Sequence, residues 1–197
     1  MSSRSFSLLS LCRKAPPIKG ILLKTPRGQR KGDLIITRYG LEGTPIYTLG
    51  ASGIAHLDLK PDLSSAELLS KARGGKENLS PIRRIKHRAG LCPAAYSLVF
   101  HLTPPKEREN LEVLITEIKN FPILLTQSQS LDEAISSSGG LSWDELDSKL
   151  MLKQHPFIFV AGEMLDWDAP TGGFLIQGCV SLGRLAATEL LKLLTSQ

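Results

Sequence analysis

The stretch Phe157–Leu191, FIFVAGEMLDWDAPTGGFLIQGCVSLGRLAATELL, opens on an apolar run and closes on a helical pattern, with one Glu, two Asp and a Gly-Gly pair between them. Taken with the residues before it, HPFIFVAGE has the length and continuous apolarity of a strand covered on both faces in a parallel sheet. Ligands of open α/β sheets bind outside the carboxyl ends of the strands, and Glu163 falls where this strand is expected to end. An ionised Glu only accepts hydrogen bonds, which suits a sugar or polyol hydroxyl. APTGGF then leads into a helix expected from about Phe174. Gly172 and Gly173 carry no Cβ, so backbone amides there can approach a flat ligand or an anion, and the positive end of the helix dipole faces it.

Along that helix Leu175, Cys179, Leu182, Ala186 and Leu190 recur at spacings of three and four, while Gly178, Gly183 and Ala187 are small enough to let it lie close to a sheet. Cys179 reads as a small buried apolar residue rather than a redox group. The stretch has a second reading, as a strand, a surface loop and a packed helix with no ligand, in which Asp166 and Asp168 are solvated turn residues.

Upstream, GILLKT, DLIITRYG, PIYTLG and AHLDLK predict short strands separated by Gly, Pro and charged turns, so Ile18 to Asp62 reads as a small β module. From Leu63 to Asn120 the pattern becomes helical, in SSAELLSKA and ERENLEVLITEIKN. GGKENLS between them reads as an exposed turn, and Pro93 in RAGLCPAAYSLVF suits the first turn of another short helix. NFPILLTQSQS returns to strand character. LDEAISSSGGLSWDELDSKLM mixes a short helix, a Gly-Gly turn at Gly139 and Gly140, and an acidic turn. The fold class expected is therefore mixed α+β, a β module with a helical segment followed by a strand-loop-helix.

The chain has 197 residues, 42% of them hydrophobic, enough for one ordinary domain or two small ones. No uninterrupted apolar run approaches the roughly 18 to 20 residues of a membrane span, so no membrane contact is expected. Cys12, Cys92 and Cys179 lie far apart, which argues against a disulfide framework or a zinc site and makes a reducing cytoplasm the default. The histidines are equally scattered, no metal site is expected, and His155 beside Pro156 reads as structural. The net charge of +5 is uneven: eight basic and no acidic residues precede Asp33, leaving −3 for the rest. The opening MSSRSFSLLSLCRKAPP could serve as a transit peptide or a nucleic-acid patch. The early Pro16 and Pro17 and the lack of interleaved aromatics favour a solvated, poorly ordered start over residues 1–17.

Three motifs in the same order, IITRYGLEGTPIYTL, LDEAISSSGGLSWDELDSKLML and GEMLDWDAPTGGFLIQGC, resemble the BaiN/YhiN-like flavoproteins, the aminoacetone-oxidase-like FAD-binding family. The resemblance covers most of the chain from about Ile18. It implies a Rossmann-like FAD-binding domain interrupted by an inserted domain of strands and helices, with residues 18–130 as the insert and 131–197 as the carboxyl-terminal return. It also implies FAD as cofactor, with Gly162 and Glu163 at the strand end near its linking chain, and Thr171, Gly172, Gly173, Phe174 and Leu175 at the flavin-facing turn and helix start. Gly139 and Gly140, and the RYGLEG loop with Gly40 and Gly43, are expected near the isoalloxazine. At a flavin, the helix start would stabilise negative charge developing at the pyrimidine edge on reduction.

The departures are specific. The family's opening GxGxxG loop, which holds the pyrophosphate, does not occur in this sequence. Phe174 stands where relatives usually carry Tyr, and the segment between IYTL and LDLKPDL is shorter. The resemblance thus implies the carboxyl-terminal portion of an FAD-dependent oxidoreductase, with one wall of the flavin site and no catalytic acid or base singled out. It leaves open a complementing amino-terminal half or self-association. The alternative is a truncated, non-catalytic structural or interaction module that no longer binds FAD.

Overall fold

A computed structural model describes residues 16–50, 52–74 and 79–195, and divides the chain into two compact units, Met1–Ser128 and Gln129–Gln197. The basic start read from residues 1–17 lies outside the described residues up to position 15, as does most of the GGKENLS turn.

The first unit is built on a five-stranded antiparallel sheet of order β3-β2-β1-β4-β5, from β1 (Ile18–Thr25), β2 (Gly28–Ile36), β3 (Leu41–Glu42), β4 (Gly53–Asp58) and β5 (Phe121–Leu125). Strand alternation places Ile21 and Leu23, Leu34 and Ile36, and Ala55 and Leu57 on the buried face. The β1–β2 register slips between Ile18 and Ile21. Gly20 sits there at φ 64, its N–H donating to Asp33 Oδ1 at 2.9 Å, a bulge that a side-chain-bearing residue would enter only with strain.

PIYTLG, expected as a strand, is instead the helix α1 (Thr44–Leu49). Gly43 at φ 117 turns the chain, and its carbonyl accepts from the amides of Ile46 and Tyr47. Pro45 would remove a ladder donor from a strand but suits a first helical turn. It is buried against Gly32, where a Cβ would stand 2.8 Å from the Pro45 ring. Ile46 and Leu49, three residues apart, then pack on the core.

Four helices cover the rest of the core. In α2 (Ser65–Arg73) the Ser64 hydroxyl accepts from the Glu67 amide at 3.2 Å while the Glu67 carboxylate accepts from the Ser64 amide at 2.7 Å, a complete capping box. α3 (Pro81–Arg88) is a helix that the sequence reading did not anticipate. Its signals are Ser80-Pro81 at the start and Ile82 and Ile85 at helical spacing, both buried. α4 (Pro93–Leu102) begins at Pro93 as expected. α5 (Leu111–Lys119) is shorter than the pattern suggested, because Asn110 Oδ1 accepts from the Glu112 and Val113 amides and starts the helix there. Lys119 Nζ closes the unit: it pairs with the buried Asp58 at 2.7 Å and donates to the carbonyls of Lys60 and Leu63.

The second unit has little regular structure before its last helix. HPFIFVAGE, expected as a parallel strand, makes only an isolated antiparallel bridge, Met151 to Phe159, and Val160 donates to Leu150. Phe157 lies at φ 72 and is 71% exposed. A parallel strand needs a neighbour on at least one edge to satisfy its amides, and among the described residues the 155–160 backbone pairs outside itself only with the 150–152 segment. Leu146, Leu150, Val160, Leu165 and Ala186 form its small core.

The helix expected from Phe174 is α6 (Phe174–Thr195), 22 residues long. It is long and apolar enough by length and composition to cross a membrane, which corrects the expectation that no segment approaches that size. The uninterrupted runs are short because Gln177 and Arg184 break them, whereas the average over the helix stays apolar. Ala186 is its one buried residue; Leu175, Cys179 and Leu182 are half-buried, and Leu190 is exposed. Nothing lies within reach of a Cβ at Gly183, so the sheet expected against that face is not met among the described residues. The whole is mixed α+β, as expected.

Candidate cofactor-binding site

The cofactor-facing residues expected from the sequence, apart from those of the RYGLEG loop, all fall in the second unit, on three short pieces of chain. Gly139 and Gly140 form the first. Leu141 pairs in parallel with Leu165, its N–H donating to the Met164 carbonyl and its own carbonyl accepting from Asp166, both at 2.9 Å. Gly140 makes this approach possible: a Cβ there would stand 2.7 Å from the Met164 carbonyl oxygen and 2.8 Å from the Leu165 carbonyl carbon. Gly139, at φ 97, has open space where a Cβ would be.

The second piece is the 3-10 turn Gly162–Met164. Gly162 takes φ 83, and its carbonyl accepts from the Leu165 amide and from the Trp167 indole. Glu163 is exposed, with Oε1 accepting from the Ser136 hydroxyl at 2.6 Å. Ser136 belongs to the segment that leads into the glycine pair, so the first two pieces are joined twice, through backbone at Leu141 and through side chains at Ser136.

The third piece is the mouth of α6. Thr171, Gly172 and Gly173 form a turn in which Gly172 and Gly173 take φ 123 and 87, conformations that favour glycine. The Gly173 carbonyl accepts from the Gln177 amide, so the helix starts immediately after it. The amides of Phe174 and Leu175 stand at that start, where a helix leaves its first N–H groups without intrahelical partners. Phe174 is exposed and Leu175 half-buried.

Two further residues hold these pieces, and the sequence reading did not single them out. Trp143 Nε1 donates to the Asp166 carbonyl and Trp167 Nε1 to the Gly162 carbonyl, both at 2.9 Å. Beside them Leu150, at φ 65, is held by the Asp147 carboxylate, whose Oδ1 accepts from the Lys149 and Met151 amides. The Met151 amide, and then that of Lys149, hold the Asp147 carboxyl below the usual carboxylate range.

The RYGLEG loop lies in the first unit. Gly43 there abuts the Asp33 carbonyl so closely that a Cβ would overlap it. Gly40 accepts through its carbonyl from the Thr37 amide at 2.8 Å. Tyr47 donates its hydroxyl to Glu42 Oε2 at 3.2 Å, and burial, followed by the Glu42 charge, pushes the phenol above its usual value. Both glycines thus have local structural reasons for their places.

The HI0933-like protein barrel and H2TH domain family matches residues 17–136, more than half of the chain. The chain belongs to that family, whose domain is the inserted domain of the BaiN/YhiN-like flavoproteins. The five-stranded antiparallel sheet and the helices α2 to α5 fall inside the matched residues.

Proposed function

We propose that this chain is the carboxyl-terminal part of an FAD-dependent oxidoreductase and that its second unit supplies one wall of the flavin site. The observation that carries the reading is the pairing of Gly140–Leu141 with Met164–Asp166, which sets a glycine turn beside the acid-bearing turn. The residues fit the group. Open space at Gly139 and Gly173 lets a planar ring approach bare backbone. Glu163 offers an acceptor-only carboxylate for a ribityl hydroxyl, and the start of α6 offers amides and a positive dipole end for negative charge.

When bound, the flavin supplies hydride transfer, for substrate oxidation or double-bond reduction. The chain's own residues bind and orient: Glu163 accepts from the polyol chain, and the Gly172–Gly173 turn faces the ring. The exposed side chains of Met164 and Phe174 exclude water once covered. The pyrophosphate needs a glycine loop that this sequence does not contain, so on this reading a complementing amino-terminal half, in a reducing cytoplasm, completes the site and covers α6.

The alternative is a structural or interaction module without FAD. The feature that favours it is α6, where Ile176, Val180, Leu191 and Leu194 are each more than 60% exposed. Visible flavin absorbance of the purified chain, followed by FAD titration monitored by flavin fluorescence, tests the module reading and the self-sufficiency of the site. Stoichiometric flavin excludes the module reading, and an absence of binding at millimolar FAD excludes a self-sufficient site. On any FAD-binding form, Glu163→Ala is expected to weaken binding about tenfold, the worth of one hydrogen bond to a charged group. Unchanged affinity would show that the carboxylate is misassigned.

A further inference from the structure

Trp167 touches the second piece of the wall and the helix that carries the third. Its indole N–H holds the Gly162 carbonyl at 2.9 Å, and its six-membered ring lies on Gly178, where a Cβ would overlap it. On the same side, the vacant Cβ position of Gly162 lies 3.8 Å from Cys179 Sγ. Gly178 and Cys179 are one turn along α6 from Phe174, so these contacts fix the turn that carries Glu163 relative to the Gly172–Gly173 mouth. Trp143 holds the far end of the same turn through the Asp166 carbonyl. The chain has two tryptophans, and both serve this one turn.

Resting on the flavin reading above, we propose that Trp167 is a positioning residue that sets the spacing between Glu163 and the helix mouth. The spacing selects ligands that span both, a planar ring carrying a polyol chain, over the bare ring. Phe at 167 loses both the N–H and the outer ring edge that lies on Gly178, whereas Ala at 178 keeps the indole N–H but displaces the ring.

The test uses the full chain with riboflavin and lumiflavin, which share the ring and differ in the polyol chain. Binding is followed by quenching of tryptophan emission, and amide exchange by mass spectrometry, with far-UV circular dichroism to confirm that helix content is retained. In Trp167→Phe and in Gly178→Ala, exchange at Leu165 and Asp166 is expected to quicken at least tenfold. Riboflavin affinity is expected to fall about tenfold while lumiflavin affinity is unchanged. Unchanged exchange overturns the proposal whatever the flavins do, and equal loss for both flavins overturns the ligand selection. If the unsubstituted chain binds neither flavin while the variants exchange faster, the ligand selection is overturned and Trp167 remains the residue that holds the turn.

Discussion

At the scale of single residues, the decisive groups are those whose surroundings leave no alternative. Asp58 is 4% exposed, and its charge is met by Lys119. Removing one partner of a buried pair strands the other charge in a poorly solvated place. Lys119→Met is therefore expected to cost about 3 kcal/mol in urea denaturation, and Asp58→Asn/Lys119→Met less than the sum of the single changes. Additive losses would show that the pair is not coupled. Gly140 is constrained by proximity instead: Ala there must push back the Met164–Leu165 backbone, an overpacking cost of about 1–3 kcal/mol. The loss is expected in the second unit, read from the emission of Trp143 and Trp167. Neither constraint is legible in sequence, since Asp58 and Lys119 are 61 positions apart and a Gly-Gly pair does not state what it approaches.

At the scale of elements, local chemistry and burial decide between readings. The capping box of α2 combines Ser64 and Glu67, and the Ser64 amide and hydroxyl hold the Glu67 carboxyl below its usual value. A carboxyl whose folded pKa lies below its unfolded one stabilises the fold fully at neutral pH and loses that contribution as pH falls through the folded pKa. The stability advantage of the native chain over Glu67→Gln should thus be present at pH 7 and shrink below pH 4.5, the usual value of the group. A difference independent of pH would exclude the carboxylate as its source. Ser64→Ala is expected to cost about 1 kcal/mol at neutral pH. Such caps are local and were readable, as was Pro93 at the start of α4. The helix α1 was not, because PIYTLG carries a strand's apolar content and the deciding contact, Pro45 on Gly32, is tertiary.

At the scale of the whole molecule, the two units differ in what they bury. The first encloses a core drawn from all its helices and its four longer strands. The second leaves α6 largely bare, and each large apolar side chain on it would yield about 1.5–3 kcal/mol if buried. A helix in that state is expected to associate. Sedimentation velocity should show concentration-dependent assembly of the chain that Val180→Lys/Leu191→Glu abolishes, with the thermal transition of the first unit unchanged. A monodisperse monomer at high concentration would sink this expectation.

The sequence by itself determined the mixed α+β class, the helix beginning at Phe174, the helix starts at Ser64 and Pro93, and the family, because periodicity, caps and motif order are properties of neighbouring residues. Tertiary structure alone decided that PIYTLG coils into a helix, that HPFIFVAGE makes a single bridge, and that two indoles hold the Glu163 turn. These outcomes depend on which backbone groups find partners and which side chains find room, and such partners lie far away along the chain.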